Sequence, residues 1–501
     1  MRIKLAFAAF MLVVGPVAAA PPERPVAQVE SGRLAGVEDG ATIAFKGIPY
    51  AAAPVGSLRW RAPAPAAAWS GIRDASRYGA ACPQAPDHHE AWAQVGPTNE
   101  DCLFLNVWRP TRAGRYPVMV FLHGGGFTYG SAGVPLYDGA KLARRGVVLV
   151  SLNYRLGLLG FFAHPALTRE DLDGPLGNYG IMDQIAALRW VRRNIAAFGG
   201  DPSNVTVFGE SAGAGVVQTL MGTPEAAGLF QKAISESGAG GTVLMPIRGA
   251  AASAEVIGMR WAESAGLKDA TVDQLRALPA GKLLGRSFPF IDGRIVVASP
   301  GTAFARAREA KVPLLIGSNS NEATLFGTGE AATRKLLGDR YDALLKAYAD
   351  AQPGKSAGIA LAEDALFVLP SMSIATMHAV NGVPAYDYYF DQVPANRRPG
   401  SAGTPHGGEL EYLFGNPDAG SAWDAADRAV SDAMAGYWVN FARTGDPNGG
   451  RNPFWPGVST GQGPHYLVIG TPIRPSQLSQ VREEVRKRTL AVSKAGWEAE
   501  K

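Results

Sequence analysis

Two kinds of apolar spacing alternate along this chain. Tyr116 to Leu122 (Tyr-Pro-Val-Met-Val-Phe-Leu) and Val147 to Leu152 are near-continuous apolar runs. Runs of this length predict strands buried on both faces. Between Ile181 and Phe198 the period changes: Ile181, Ile185, Leu188 and Ile195 recur at helical spacing. Arg189, Arg192 and Arg193 lie mainly off that stripe, so a helix is predicted there, and Gly199-Gly200 stops it. Val205 to Phe208 reads as another strand. It turns through Gly209-Glu210-Ser211-Ala212-Gly213 into an Ala- and Val-containing helical segment.

Further along, Val312 to Gly317 is a buried-strand candidate, Ala331 to His378 is largely helical and suited to a cap, and Tyr386 to Phe390 is a late strand. Gln480 to Trp497 has the mixed pattern of a charged amphipathic helix. Upstream, Val26 to Trp60 predicts short strands punctuated by Gly and Pro, and Glu100 to Trp108 a further one. The order strand, glycine loop, strand, helix, strand, turn, helix predicts an α/β fold with a central, mostly parallel sheet flanked by helices. No internal repeat, heptad run or long linker divides the chain, so residues 20–501 are expected to form one domain.

Residues 1–19 change that picture only at the start. A basic opening, an apolar run from Leu5 to Val14 and then small residues predict a secretory signal peptide and export to the periplasm or beyond. The run is too short to remain as a membrane span. The formal charge of +4 includes Arg2 and Lys4 of that segment, which leaves too little to argue for nucleic acid or an anionic membrane. The chain has 2 cysteines, Cys82 and Cys102. In an exported protein an even, close pair points to a disulfide, with two buried free thiols as the alternative. Two cysteines alone do not make a structural zinc site, and no metal or other cofactor is implied.

The chemistry centres on Ser211. Gly-x-Ser-x-Gly between a strand and a helix is the context of a nucleophile elbow, although a chain with 61 glycines can match it by chance. A serine hydroxyl needs a base, and the base a carboxylate to orient it. In α/β-hydrolases these follow in the order Ser, acid, His. Glu322, after the strand at Val312 to Gly317, and His406, in a Pro/Gly-rich loop, fit that order. His378 falls inside a predicted helix and His465 ahead of a predicted strand, so neither is favoured. Three successive glycines after a buried strand, Gly124 to Gly126, are costly unless the backbone itself is used. The N–H groups of Gly125, Gly126 and Ala212 would form an oxyanion hole.

With these motifs in view the chain resembles the type-B carboxylesterases, which include bacterial para-nitrobenzyl esterases, vertebrate carboxylesterases and cholinesterases. The matching motifs run in family order: Gly47-Ile48-Pro49-Tyr50-Ala51, Glu100-Asp101-Cys102-Leu103, His123 to Phe127, and Asn153-Tyr154-Arg155. They continue through Gly177 to Gln184, Phe198 to Pro202, the elbow, Ser235-Glu236-Ser237-Gly238, Ile291-Asp292-Gly293, Asn321-Glu322 and His406 to Leu410. The resemblance implies an α/β-hydrolase fold with a helical cap region and a serine esterase using Ser211, His406 and Glu322. It implies oxyanion stabilisation by Gly125, Gly126 and Ala212, and a Cys82–Cys102 disulfide. Ser237 and Glu210 are implied to sit just behind the triad, and Glu100 and Arg155 to form a buried ion pair.

The resemblance also divides substrates. Trp92, ten residues before Cys102, corresponds to a cholinesterase residue that stacks on quaternary ammonium. Leu325, however, stands where those enzymes have an aromatic, and Phe326 is expected to line an acyl pocket. The expectation is a general hydrolase of small-molecule carboxylic esters, with amidase or thioesterase chemistry open to the same residues. A catalytically dead binding relative would lack the serine. Neither the physiological ester nor the oligomeric state is legible.

Overall fold

The computed structural model describes residues 24–85, 95–170, 176–351, 355–459 and 465–500. The predicted signal segment and Trp92 lie outside them. The N-terminal part contributes β1 (Val26–Val29), β2 (Gly32–Ala35), β3 (Val37–Asp39), β4 (Thr42–Pro49) and β5 (Ile72–Asp74). The middle of the chain supplies β6 (Phe104–Pro110), β7 (Tyr116–Leu122), β8 (Val148–Leu152), β9 (Gly200–Glu210) and β10 (Lys232–Glu236). The last strands are β11 (Leu314–Asn319), β12 (Ala385–Asp391), β13 (His465–Gly470) and β14 (Arg474–Gln477).

Among the described residues, β1, β2 and β5 form a small sheet, and the other strands form an 11-stranded sheet in the order β14-β13-β12-β11-β10-β9-β7-β8-β6-β4-β3. From β8 to β13 every neighbouring pair is parallel, while both flanks are antiparallel. This is the mostly parallel α/β sheet expected from the pattern, and the α/β-hydrolase architecture that the resemblance implies. The run Tyr116–Leu122 shows why the pattern worked. Val118, Val120 and Leu122 enter the core on one face, and Met119 and Phe121 that on the other. Phe121 alone meets the rings of Tyr137, Phe208 and Phe414 at 4.8–5.0 Å. Burying such a side chain contributes about 1.5–3 kcal/mol, so a polar residue on either face of β7 is excluded.

The helix Tyr179–Asn194 packs its apolar side inward as predicted and passes through a 3₁₀ turn (Ile195–Phe198) to Gly199, whose φ of 76° ends it. The helix-rich stretch after Glu322 forms Glu330–Leu337, Tyr341–Ala351, Ala357–Glu363 and Leu369–Val380, the last two joined by a π-helical turn at Asp364–Val368. The joined helices, 357–380, are long and apolar enough to cross a membrane, but they are mostly buried and pack on β11 and β12. The C-terminal helix Gln480–Glu498 packs on this layer. Cys82 and Cys102 are joined as a buried disulfide.

One expected pair is different. Arg155 does not meet Glu100; its guanidinium binds Asp183 of the helix Tyr179–Asn194 through two contacts of 2.7 and 2.8 Å. Asp183 also accepts the Arg155 amide at 3.0 Å and is fully buried. Glu100 instead grips Arg59, whose guanidinium also donates to the Arg276 and Leu278 carbonyls. A buried guanidinium takes the acid that satisfies its planar fork, and the helix Tyr179–Asn194 brings Asp183 there.

Candidate active site

β9 delivers the elbow to the parallel end of the sheet. At its tip Ser211 has φ 54° and ψ −120°, a backbone state that costs a non-glycine residue of order 1–3 kcal/mol and clusters at functional sites. Its N–H donates to Glu236 of β10 at 2.8 Å, and its carbonyl accepts from Gly215 at 2.9 Å, which locks the turn from both sides. The flanking glycines are forced by contact. A Cβ on Gly213 would lie 2.0 Å from the Leu122 carbonyl oxygen, and one on Gly209 would lie 2.7 Å from the backbone of both Gly213 and Leu122. The crossing of β7, β9 and the helix Ala212–Met221 therefore has no room for side chains.

The loop leaving β7 faces Ser211. The Gly125 carbonyl accepts the amides of Thr128 and Tyr129 at 3.0 and 3.1 Å. A trans peptide points its C=O and N–H in opposite directions, so the Gly126 N–H is turned away from those two amides. Gly125 itself has φ 104°, and a Cβ there would strike the Tyr129 carbonyl at 2.1 Å. Ala212, the first residue of its helix, has an N–H with no intrahelical acceptor. Behind the loop, the His123 imidazole stacks on Tyr154 and its Nδ1 meets the Gly124 carbonyl at 2.8 Å. Burial pushes the His123 pKa down to about 4, so this ring is neutral.

The candidate acid and base, Glu322 and His406, arrive from loops. Glu322 opens the turn after β11 and is buried; its Oε1 accepts from the Asn319 amide (2.7 Å) and the Ser237 hydroxyl (2.6 Å). Its Oε2 lies 2.5 Å from His406 Nδ1. The His406 backbone N–H is fixed by Thr324 Oγ1 at 3.0 Å. The opposite ring nitrogen, Nε2, is 3.2 Å from Glu210 Oε1, close enough to feel its charge but not aligned as a hydrogen bond. Burial opposes charging of His406, but the Glu322 and Glu210 carboxylates outweigh it and the pKa is pushed up to about 10. Glu210 is itself pushed up to about 7, first by burial and then by Glu322, against the pull of His406.

A cleft of about 1840 Å³ brings Gly125, Gly126, Glu210, Ser211, Ala212 and His406 to one surface, with Ser237 and Leu325 on its walls. Phe326 is not on that lining; it stacks on Phe367, which is. His378 is buried in its helix against Glu309 and the Val312 carbonyl, and His465 starts β13, so both stand away from the cleft. The sequence reading gave no role to Glu409 or Glu236. Burial raises the pKa of both carboxyls, Glu409's to about 8. Glu409 bonds Asn319, and Glu236 accepts from Trp438 Nε1 at 2.9 Å. Each lies within a motif already noted, three residues after His406 and one before Ser237, so the signal was present but unassigned.

A mostly parallel sheet with a strained serine at a strand-to-helix turn, and a glycine loop and His406 on the same cleft, defines the fold as that of an α/β-hydrolase. The carboxylesterase family model matches residues 23–352 and 330–492. The chain is 37% identical over 463 residues to a fumonisin B1 esterase of Sphingopyxis macrogoltabida, covering 86% of this chain and 84% of that one. It is 36% identical over 452 residues to a para-nitrobenzyl esterase of Bacillus subtilis (strain 168), covering 84% and 90%. A solved para-nitrobenzyl esterase structure superposes with a TM-score of 0.81 at 32% identity, over 93% of this chain and 99% of that one. This chain belongs to the carboxylesterase family and is a carboxylic ester hydrolase.

Proposed function

We propose that the cleft hydrolyses small-molecule carboxylic esters through an acyl-enzyme on Ser211. His406 Nε2 takes the Ser211 proton as Oγ attacks the ester carbonyl. The tetrahedral oxyanion accepts the N–H groups of Gly125, Gly126 and Ala212. As the C–O bond breaks, His406 returns the proton to the leaving alcohol. Water then repeats the sequence, with His406 as base, and the acid is released. Glu322 fixes the imidazole so that Nε2 faces the cleft, and its charge stabilises the imidazolium formed in each half-reaction. No cofactor enters these steps.

The observation that carries this reading is the 2.5 Å contact between buried Glu322 and His406, on the same cleft as the strained Ser211. Ser211→Ala is expected to abolish cleavage of p-nitrophenyl butyrate, and an organophosphate is expected to label Ser211 alone by peptide mass mapping. Parent-level turnover in the folded variant sinks the assignment. Export belongs to the same reading: the leading apolar segment calls for it, and the Cys82–Cys102 disulfide suits an oxidising compartment.

A further inference from the structure

The cleft has two walls of different chemistry. One is tied to the base: the Phe367 ring meets the His406 imidazole edge to face at 5.5 Å, and Leu325 is exposed on the same cleft. The other is tied to the glycine loop. Phe127, the residue after Gly126, meets Phe288 edge to face at 6.2 Å, and the Arg286 guanidinium lies 5.8 Å from the Phe288 ring centre. Arg286 and Phe288 both line the cleft and both are exposed.

Among the described residues, the cleft lining holds two arginines. Arg397 is engaged with Asp418 at 3.4 Å and with the Ala419 carbonyl. Arg286 rests on an aromatic face and has no carboxylate partner among the described residues. A guanidinium held over a ring keeps its planar fork of donors free, and that fork matches a carboxylate. The side of the substrate it meets follows from the proton path. The leaving alcohol takes its proton from His406 and so lies along the Phe367 wall. The acyl chain, held by its carbonyl at the glycine loop, runs toward Phe288 and Arg286.

We propose that Arg286 is a specificity-determining residue that binds a carboxylate on the acyl chain, so that the cleft prefers mono-esters of dicarboxylic acids. Phe288 supplies the apolar surface for the methylenes between the two carbonyl carbons. The proposal rests on the assignment of Ser211 and His406 given above. It places recognition outside the triad, on a residue whose loss leaves the chemistry of neutral esters unchanged.

The test uses three esters: phenyl butyrate, monophenyl glutarate and 4-carboxyphenyl butyrate. Arg286→Gln is expected to lower kcat/KM for monophenyl glutarate by about tenfold, through KM, as loss of one charge pair in a partly enclosed cleft implies. Arg286→Glu should lower it further, and phenyl butyrate should change by less than about twofold, as expected for a substrate without a charge to pair. Raising salt from about 0.1 M to 1 M should weaken only the glutarate ester in the parent enzyme. A selective loss on 4-carboxyphenyl butyrate instead overturns the placement on the acyl side. Equal loss on all three, or none, overturns the proposal while leaving the triad intact. A parent that cleaves none of the three breaks the triad reading itself, and the proposal with it.

Discussion

Around Ser211 the chain is held by backbone, whereas around His406 it is held by charge. On the nucleophile side, β7, β9 and the following helix approach until a single methyl on Gly213 would lie 2.0 Å from the Leu122 carbonyl oxygen. On the base side, the geometry depends on Glu322 between the Asn319 amide, the Ser237 hydroxyl and His406, with Glu210 3.2 Å from the other ring nitrogen. Sterics fix the first half at any pH. The second half changes character whenever one of its carboxyls takes up a proton.

The difference can be broken from either side. The largest effect is expected from Glu322→Gln, which keeps the shape but removes the charge that orients and stabilises His406. Turnover should fall by about 10⁴-fold, as for amide replacement of a triad acid, with the melting temperature changed far less than the rate. A loss of only a few-fold in steady-state kinetics would mean that another carboxylate orients the ring.

Gly213→Ala should act in the opposite way. Overpacking against the Leu122 carbonyl is expected to cost about 1–3 kcal/mol or more in denaturant unfolding, and to lower turnover by about 10² or more through displacement of the serine. Unchanged stability would show that the β7–elbow crossing is looser than its contacts indicate.

The smallest effect, and the most informative about the charged half, is expected from Glu210→Gln. A carboxylate beside His406 Nε2 favours the imidazolium, so it raises the His406 pKa. Removing that charge lowers this pKa, and the neutral, proton-accepting form persists to lower pH. The acid limb of the kcat/KM profile should therefore move toward lower pH by at least about one unit. A move toward higher pH would contradict the charge assignment. In the parent, the same two carboxylates are expected to place that limb above the ordinary histidine range.

Much of the backbone-held half was legible from residues close in sequence. The apolar run Tyr116–Leu122, the glycines after it and Gly209 to Gly213 each carry their own reason, because a strand buried on two faces and a crossing without side chains are local demands. Glu322 and His406 were legible from the order the chemistry requires and from family motifs. Their bonding was not. His406 Nε2 faces Glu210 from 196 positions away, so nothing in the periodicity of either segment reports the charge between them.

The Arg155 pairing shows the same boundary at a structural site. Sequence resemblance suggested Glu100, but the folded chain offers Asp183 from the helix Tyr179–Asn194, and the buried fork closes on it. The sequence by itself determined the strands, the elbow and the glycine loop, and it singled out Ser211, Glu322 and His406 as the candidates for the chemistry. Only the tertiary structure decided that Arg155 binds Asp183, that Glu210 lies 3.2 Å from His406 Nε2, and that Arg286 stands on the cleft wall. Hydrophobic period and glycine placement are set by neighbours along the chain, whereas desolvation and Coulomb interaction depend on distances that exist only after it folds.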